Sequence, residues 1–226
     1  MRAFTDEYDK RKGEIEAYIT LLQALSSDGA KVTDIDDNES SVSAIQQKVC
    51  KASCYLLIYN LVEATVMNGV QSIYNRIKDE GLGFSAIMDL LKKVWWHSKG
   101  ESLTSTPKGE LIETVYNYYC ETHSGDALDF KDFVSGVSGN MDADGVRNVC
   151  HKYGIRAVAD GRHLGNVKQY RNWLAHGNKS FSDIGQDVTV TQLIEIKSNV
   201  FSFLDEYVSN VNTYLDNQCY KATPQN

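Results

Sequence analysis

The residues with the clearest capacity for chemistry lie in the heptapeptide Arg-Asn-Trp-Leu-Ala-His-Gly at positions 171–177. Asn172 and His176 are four residues apart, so their side chains share one face of a helix. Arg171 lies about 140° round the helix from His176, and its long side chain can still turn toward the same groove. Gly177 predicts the helix end, where the negative end of the helix dipole favours a cationic imidazole. A guanidinium beside such an imidazole could bind a phosphodiester, polarise it and move protons.

The spacing of this Arg and His is by itself a weak signal. Arg156 and His163, with six residues between them, also fit it. Another alternative is that the segment 171–177 only ends a helix, with His176 bonding the last carbonyl groups. The setting favours chemistry, because a Gly follows the His and the segment lies in the one basic window of the sequence.

This basic window covers residues 145–180. The net charge of the 226-residue chain is −7, which argues against a nucleic-acid partner. The window nevertheless contains seven basic residues and a single acid, Asp160, so that it carries +6 and the remaining residues carry −13. Its basic residues are Arg147, Lys152, Arg156, Arg162, Lys168, Arg171 and Lys179. The asymmetry favours a local polyanion site, and the alternative is a chance cluster on a solvated face.

The elements that must position these residues are predicted to be helices. Only 2 Pro and 16 Gly occur, fewer than an all-β chain usually needs for its turns. The periodicity of apolar residues predicts helices over about 5–25, 43–79, 85–96, 110–122, 142–153, 162–176 and 191–217. We expect Asp142 and Thr191 to be the N-caps of two of them. The fold class is therefore all-α, an antiparallel bundle of long helices.

The chain is predicted to form one domain over residues 1–226, with an inserted helical section at about 84–139. Residues 26–41 are predicted to be a polar, acidic and mobile loop, and residues 102–108 a second loop. Residues 221–226 are expected to be a frayed tail.

The distribution of apolar residues also predicts where in the cell the protein is found. No run of 18 apolar residues occurs, and the most apolar stretch, Cys54–Met67, contains Asn60 and Glu63, so it is predicted to be a core helix. The N-terminus has no apolar signal-peptide core. We therefore expect a cytoplasmic protein with no membrane contact.

The five cysteines are expected to be structural free thiols. Their number is odd and no CxxC pair occurs. Cys50 and Cys54 would share a helix face, but further ligands at credible spacing are missing, so no metal site is predicted. Asp142-x-Asp144-Gly145 resembles the start of a calcium loop, and a helix cap is the favoured interpretation.

Three other groups of polar or aromatic residues are candidates for supporting roles. Glu63 and Asn60 interrupt the apolar helix, so Glu63 either pairs with Arg171 and holds the site geometry or lies on a solvated strip. Trp95-Trp96-His97 could stack bases, although an adjacent Trp pair more often divides between core and surface. Tyr116, Tyr118 and Tyr119 are expected to pack helices or to form an interface.

The heptapeptide 171–177 resembles the R(N/D)-x3-H(G) signature of HEPN domains, and in particular a bacterial subfamily typified by MAE_28990/MAE_18760-like proteins. Three other stretches support the resemblance. Leu56–Ala64 is similar to the central helix of the family, Ser138–Ile155 to the segment before the motif helix, and Phe181–Gly185 to the segment after it. The resemblance spans most of the chain and is weakest in the middle.

The resemblance implies a dimeric endoribonuclease that needs no metal or other cofactor, commonly part of a toxin–antitoxin or anti-phage defence system. The catalytic residues it implies here are Arg171, Asn172 and His176, with RNA as substrate and an antitoxin or other defence protein as a further partner. Lys168, Lys179 and Arg162 are then candidate RNA contacts. The other interpretation is a catalytically inactive HEPN dimer that acts as a binding module or scaffold.

Overall fold

The computed structural model describes residues 3–130 and 141–223, apart from the side chain of residue 101. Eight α-helices dominate this part of the chain, which confirms the all-α class. They are α1 Ala3–Leu25, α2 Ala44–Asp79, α3 Asp89–Ser105, α4 Leu111–His123, α5 Ala143–Tyr153, α6 Leu164–Ala175, α7 Phe181–Gln186 and α8 Val190–Asp216. A 3-10 helix covers Phe84–Ala86, and two short strands, β1 Lys31–Thr33 and β2 Glu39–Ser41, form a hairpin.

The long helices begin and end close to their predicted bounds, and the main difference is at α3. The helix predicted over about 85–96 begins at Asp89 and continues to Ser105, so both of its predicted ends are wrong. The prediction of a loop from residue 102 is also wrong over its first four residues. Thr106 then has an extended conformation, with φ −75° and ψ 131°. Because Pro107 disfavours a helical residue before it, the proline determines where α3 ends.

The last helix, α8, begins earlier than predicted. The side chain of Gln192 accepts a hydrogen bond from the Thr189 amide at 2.8 Å, and the Gln192 amide donates to the Thr189 hydroxyl at 3.2 Å. This reciprocal pair is a capping box, so Thr189 and not Thr191 caps the helix.

The predicted acidic loop contains the hairpin. Lys31 is opposite Ser41 and Thr33 is opposite Glu39. Asp34 closes the turn, because its Oδ1 accepts hydrogen bonds from the amides of Asp36 and Asn38, each at 2.9 Å. Bonds from an Asp side chain to nearby backbone, which hydrophobic patterns do not reveal, therefore stabilise this segment.

The chain divides into two compact units, and the division falls within α2 and α8, after the first residue of α5 and before Ala159. As far as they are described, the first consists of Met1–Thr65, Asn140–Ala143 and Ala159–Glu206, and we call it the motif unit. The second unit consists of Val66–Gly139, Asp144–Val158 and Tyr207–Asn226. The inserted section predicted at 84–139 belongs to the second unit, and its residues 131–139 lie outside the described part of the chain.

The motif unit packs α1 against α2 and α8. The hydroxyl of Tyr18 donates to the carbonyl of Cys50 in α2 at 2.7 Å. The hydroxyl of Tyr8 donates to Asp205 Oδ1 in α8 at 2.7 Å. Aliphatic side chains of α1 fill the space between, namely Ile15, Ile19 and Leu22.

The second unit has an aromatic core. Tyr74 of α2 stacks on Phe130 with ring centroids 4.5 Å apart, and its hydroxyl bonds to the hydroxyl of Tyr153 in α5. Tyr207 of α8 donates to the carbonyl of Val66 at 3.1 Å. Helix α4 buries none of its residues.

The end of the chain is partly paired, so the prediction of a frayed tail is wrong for its first two residues. Lys221 forms an isolated bridge with Ile87, and the amide of Ala222 donates to the carbonyl of Ala86 at 2.9 Å. Residues 224–226 lie outside the described part.

Among the described helices, α2 alone has the length and composition of a membrane span, with a mean hydropathy of 1.2 over an 18-residue window. Half of that window is buried within the protein, and core helices of globular proteins have the same properties. The expectation of no membrane contact therefore stays a prediction.

None of the five cysteines is in a disulfide. Burial raises the pKa of Cys54 to about 12 and that of Cys150 to about 11, which keeps both thiols protonated near neutral pH.

Candidate active site

On helix α6, Asn172 and His176 lie away from the buried face, whereas Arg171 lies beside it. Leu164, Val167 and Leu174 are buried in the motif unit, whereas His176 is exposed at the C-cap. The helix ends in a Schellman motif, in which the Asn178 amide donates to the Trp173 carbonyl at 2.9 Å and Gly177 has φ +70°. The predicted stop at Gly177 is thus where the backbone turns.

Asn172 and His176 line one cavity, as their four-residue spacing predicts. The cavity has a volume of about 440 Å³. Its other lining residues are Asp142, Gly165, Lys168, Gln169, Trp173 and Asn178.

Arg171 does not line this cavity, contrary to the expectation that it would turn into the same groove. Its guanidinium carbon lies 4.2 Å from the ring centroid of Tyr59, and one of its terminal nitrogens lies 3.8 Å from Glu63 Oε2. The other terminal nitrogen donates to Asn172 Oδ1 at 2.9 Å. Arg171 therefore reaches the cavity through Asn172.

Of the two alternatives for Glu63, pairing with Arg171 or a place on a solvated strip, the structure has the pairing. Their side chains are 24% and 22% exposed, so neither is fully in water or fully in the core. Asn60, the other predicted supporting residue, is exposed on α2. In the part of the chain that the structure describes, it makes no hydrogen bond or ion pair with Arg171, Asn172 or His176.

The predicted RNA contacts all have partners of their own. Lys168 Nζ lies 2.6 Å from Asp142 Oδ2, and Arg162 lies 2.9 Å from Asp160 Oδ2. The third, Lys179, places its ammonium 4.3 Å from the ring centroid of Trp173.

The profile of MAE_28990-like HEPN domains matches residues 2–220. The chain belongs to this HEPN family. No curated protein and no solved structure matches it significantly. HEPN domains are generally associated with ribonuclease or nucleotide-related activity.

Two residues that line the cavity were not predicted as part of the site. Asp142 was predicted only to cap a helix, and the structure shows that its carboxylate also pairs with Lys168 at the cavity. Trp173 lies inside the motif itself, and its ring lines the cavity and contacts both Tyr170 and Lys179. Its position next to Asn172 was the signal that could have indicated it.

The net positive charge around the basic window, residues 145–180, is smaller once its neighbours in space are included. Glu63 and Asp142, which pair with Arg171 and Lys168, lie outside the window along the chain. A count over neighbouring positions cannot include such partners.

Among the residues that the structure describes, no three His, Cys, Asp or Glu side chains are grouped to hold a metal. The segment that resembles a calcium loop has its carboxylates beside cations, since Asp142 pairs with Lys168 and Asp144 with Arg147 at 2.7 Å.

Proposed function

We propose that this HEPN chain is an endoribonuclease that cleaves RNA without a metal ion. The observation that carries the proposal is that Asn172 and His176 share one cavity, while Arg171 is hydrogen-bonded to the side chain of Asn172. The match to the HEPN family over residues 2–220 supports it, because the family is associated with ribonuclease activity.

The reaction assigned to the site is transfer of the phosphodiester to the neighbouring ribose 2′-oxygen. The 2′-hydroxyl loses its proton as its oxygen bonds to phosphorus, and the bond from phosphorus to the 5′-oxygen breaks. The products are a 2′,3′-cyclic phosphate and a 5′-hydroxyl. His176 transfers a proton, Asn172 orients the reacting groups, and Arg171 stabilises charge through Asn172 or after turning into the cavity.

This chemistry favours a homodimer. One imidazole cannot accept the proton of the 2′-hydroxyl and protonate the leaving 5′-oxygen in the same step. Two copies related by a two-fold axis would bring two His176 side chains and two Arg171 side chains to one groove.

A ribonuclease of this kind would act on RNA in the cytoplasm as part of a toxin–antitoxin or anti-phage defence system. An antitoxin or another defence protein would then control it. The resemblance of residues 171–177 to the HEPN signature supports this assignment.

A second candidate function, an inactive HEPN dimer that binds a partner, is favoured by one observation. Lys168, which lines the cavity, and Arg171, which is hydrogen-bonded to Asn172, each face a carboxylate. Such pairing lowers the positive potential that a phosphodiester would meet.

The test compares purified wild type and His176→Ala on a labelled single-stranded RNA in the presence of EDTA. We expect cleavage by the wild type, with 2′,3′-cyclic phosphate ends, and a loss of at least about 100-fold in the variant, the usual range for removal of a general acid–base group. His151→Ala is the matched control, because His151 is exposed on α5 in the second unit.

Two results would contradict the nuclease. Equal cleavage by wild type and His176→Ala would mean that a contaminant cuts the RNA. Absence of cleavage by any of the three proteins, together with equal growth of cells that express them, would favour the scaffold.

A further inference from the structure

A second cavity lies in the second unit, on one face of α3. Its volume is about 760 Å³, within the range of pockets that take small ligands. It is lined by Lys93, Trp96, His97, Gly100 and Thr104 of α3 and by Lys152 of α5. The α3 positions follow the spacing of one helix face, so a single straight element presents most of the site.

The Trp95-Trp96 pair divides between core and surface at this cavity. Trp95 is 1% exposed, whereas Trp96 is 40% exposed. Trp96 is held edge-on by two aromatic neighbours, with ring centroids 5.0 Å from Trp95 and 6.4 Å from Phe84. An indole that is fixed in this way and still open to water can stack on a flat ligand with little loss of side-chain entropy.

The cations of this cavity differ from those beside the HEPN motif. Neither Lys93 nor Lys152 is in an ion pair with a described residue, and no carboxylate is among the described side chains that line the cavity. The ammonium of Lys152 lies 5.9 Å from the ring centroid of Tyr153. Asp89, one helical turn before Lys93, forms its ion pair with Lys92 at 2.9 Å. The hydrogen bond and charge of Lys92, with a smaller contribution from the charge of Lys93, lower the pKa of Asp89. Two ammonium groups and the imidazole of His97 are thus available to an anion.

We propose that this cavity binds a nucleotide unit, with its base stacked on Trp96 and its phosphate between Lys93 and Lys152. An acidic peptide would supply anions but no flat ring for the indole, and an apolar ligand would leave both ammonium groups unused. Proteins that bind single-stranded nucleic acids without sequence preference combine stacking on aromatic side chains with basic residues beside them. The nucleotide can be free or part of a single-stranded RNA.

The inference does not rest on the ribonuclease proposal, because its test measures binding. The full-length chain with His176→Ala is titrated by calorimetry with AMP, adenosine, inorganic phosphate and an adenine pentaribonucleotide. We expect AMP or the pentanucleotide to bind more tightly than adenosine or phosphate, and the affinity to fall with added salt. Binding of AMP identifies a free nucleotide as sufficient, and binding of the pentanucleotide alone identifies the RNA strand.

Two substitutions test the assignment of the residues. Trp96→Leu should weaken binding by roughly 10- to 100-fold, the range found when a stacked aromatic side chain is removed. Lys152→Ala should weaken it several-fold and make it less sensitive to salt. Lys78→Ala is the matched control, because Lys78 is exposed in the same unit and does not line the cavity.

A third variant keeps the test valid if Trp96→Leu fails to fold. A Cβ atom at Gly100 would meet no neighbour within 4 Å, so Gly100→Leu should fill the cavity without disturbing the core, while Gly100→Ala should bind as before. Failure of every probe to bind, binding of phosphate as tight as that of AMP, or equal affinities of Gly100→Leu and Gly100→Ala would overturn the proposal.

Discussion

Arg171 contacts three side chains, and these contacts give it a part in stability as well as in the proposed catalysis. Its guanidinium packs on the buried ring of Tyr59, pairs with Glu63 and donates to Asn172. Loss of activity in an Arg171 variant could therefore come from lost packing, and the stability of the variant has to be measured beside its activity.

A double-mutant cycle separates these contributions. Arg171→Ala should lower the free energy of unfolding by about 1–2 kcal/mol, because it removes a cation–π contact and a partly buried ion pair. Glu63→Gln should cost less than about 1 kcal/mol, since both side chains are nearly a quarter exposed and 3.8 Å separates the charged atoms. Urea denaturation of wild type, both single variants and the double variant gives the coupling, expected at about 0.5–1 kcal/mol.

Arg171→Lys is the control that keeps the positive charge but removes the planar guanidinium and its paired N–H donors. Strict additivity of the two single variants would show that the ion pair contributes no stability. Glu63 would then matter only for the direction in which Arg171 points.

At the scale of elements, α2 determines where Arg171 points. Tyr55, Tyr59 and Glu63 recur every four residues on α2, so they share one helix face. Tyr55 contacts Tyr170 with ring centroids 4.6 Å apart, and the other two contact Arg171. The register of α2 against α6 therefore separates the guanidinium from the imidazole of His176.

Helix α7, directly after the motif, is held by a cap and by close packing. Ser180 and Asp183 form a reciprocal capping box, with both hydrogen bonds at 3.1 Å. Gly185 is buried against the backbone of Lys48 in α2, where an added Cβ would overlap the Lys48 carbonyl. Glycine is thus required at position 185 for α7 to pack on α2.

Gly185→Ala should lower the free energy of unfolding by about 2–4 kcal/mol, because the backbone must move to accept the methyl group. Gly13→Ala is the matched control, since an added Cβ at this position of α1 meets nothing within 4 Å. It should stabilise the protein by up to about 1 kcal/mol through helix propensity. Thermal or urea denaturation of both variants checks this, and equal stabilities would mean that α7 does not pack on α2 as described.

The long helices, and the place of Asn172 and His176 at one cavity, could be predicted from the sequence. Both follow from local patterns, namely apolar periodicity and a four-residue spacing. The hairpin, α7 and the Thr189 cap were missed because short elements depend on bonds from side chains to backbone. The carboxylates that pair with Arg171 and Lys168 could not be predicted with certainty from local sequence, for another reason. Glu63 and Asp142 are distant in the sequence, and no local pattern fixes which face of one helix meets another.

At the scale of the whole molecule, exposed apolar surface is concentrated on α4. Leu111, Ile112, Val115, Tyr116 and Tyr119 are all exposed, and they follow the spacing of one helix face. Tyr116, Tyr118 and Tyr119 were predicted to pack helices or to form an interface. Tyr118 packs α4 on α3, since it contacts Trp95 with ring centroids 6.2 Å apart. The rest of the stripe is a second surface through which copies could associate, besides the motif cavity.

The solution mass of the protein tests whether the proposed homodimer forms and which surface it uses. The composite site requires two motif cavities to meet, so we expect a mass of twice 25.3 kDa and dissociation by Gly165→Arg, which adds charge and bulk at the cavity. An added Cβ at Gly165 meets no neighbour within 4 Å, so this variant should keep its fold. Ile112→Lys, on the α4 stripe, is the control that should remain dimeric. Light scattering measures all three. A monomeric wild type, or a dimer that Ile112→Lys dissociates and Gly165→Arg does not, would leave the two His176 side chains in separate sites and rule out catalysis by a shared pair.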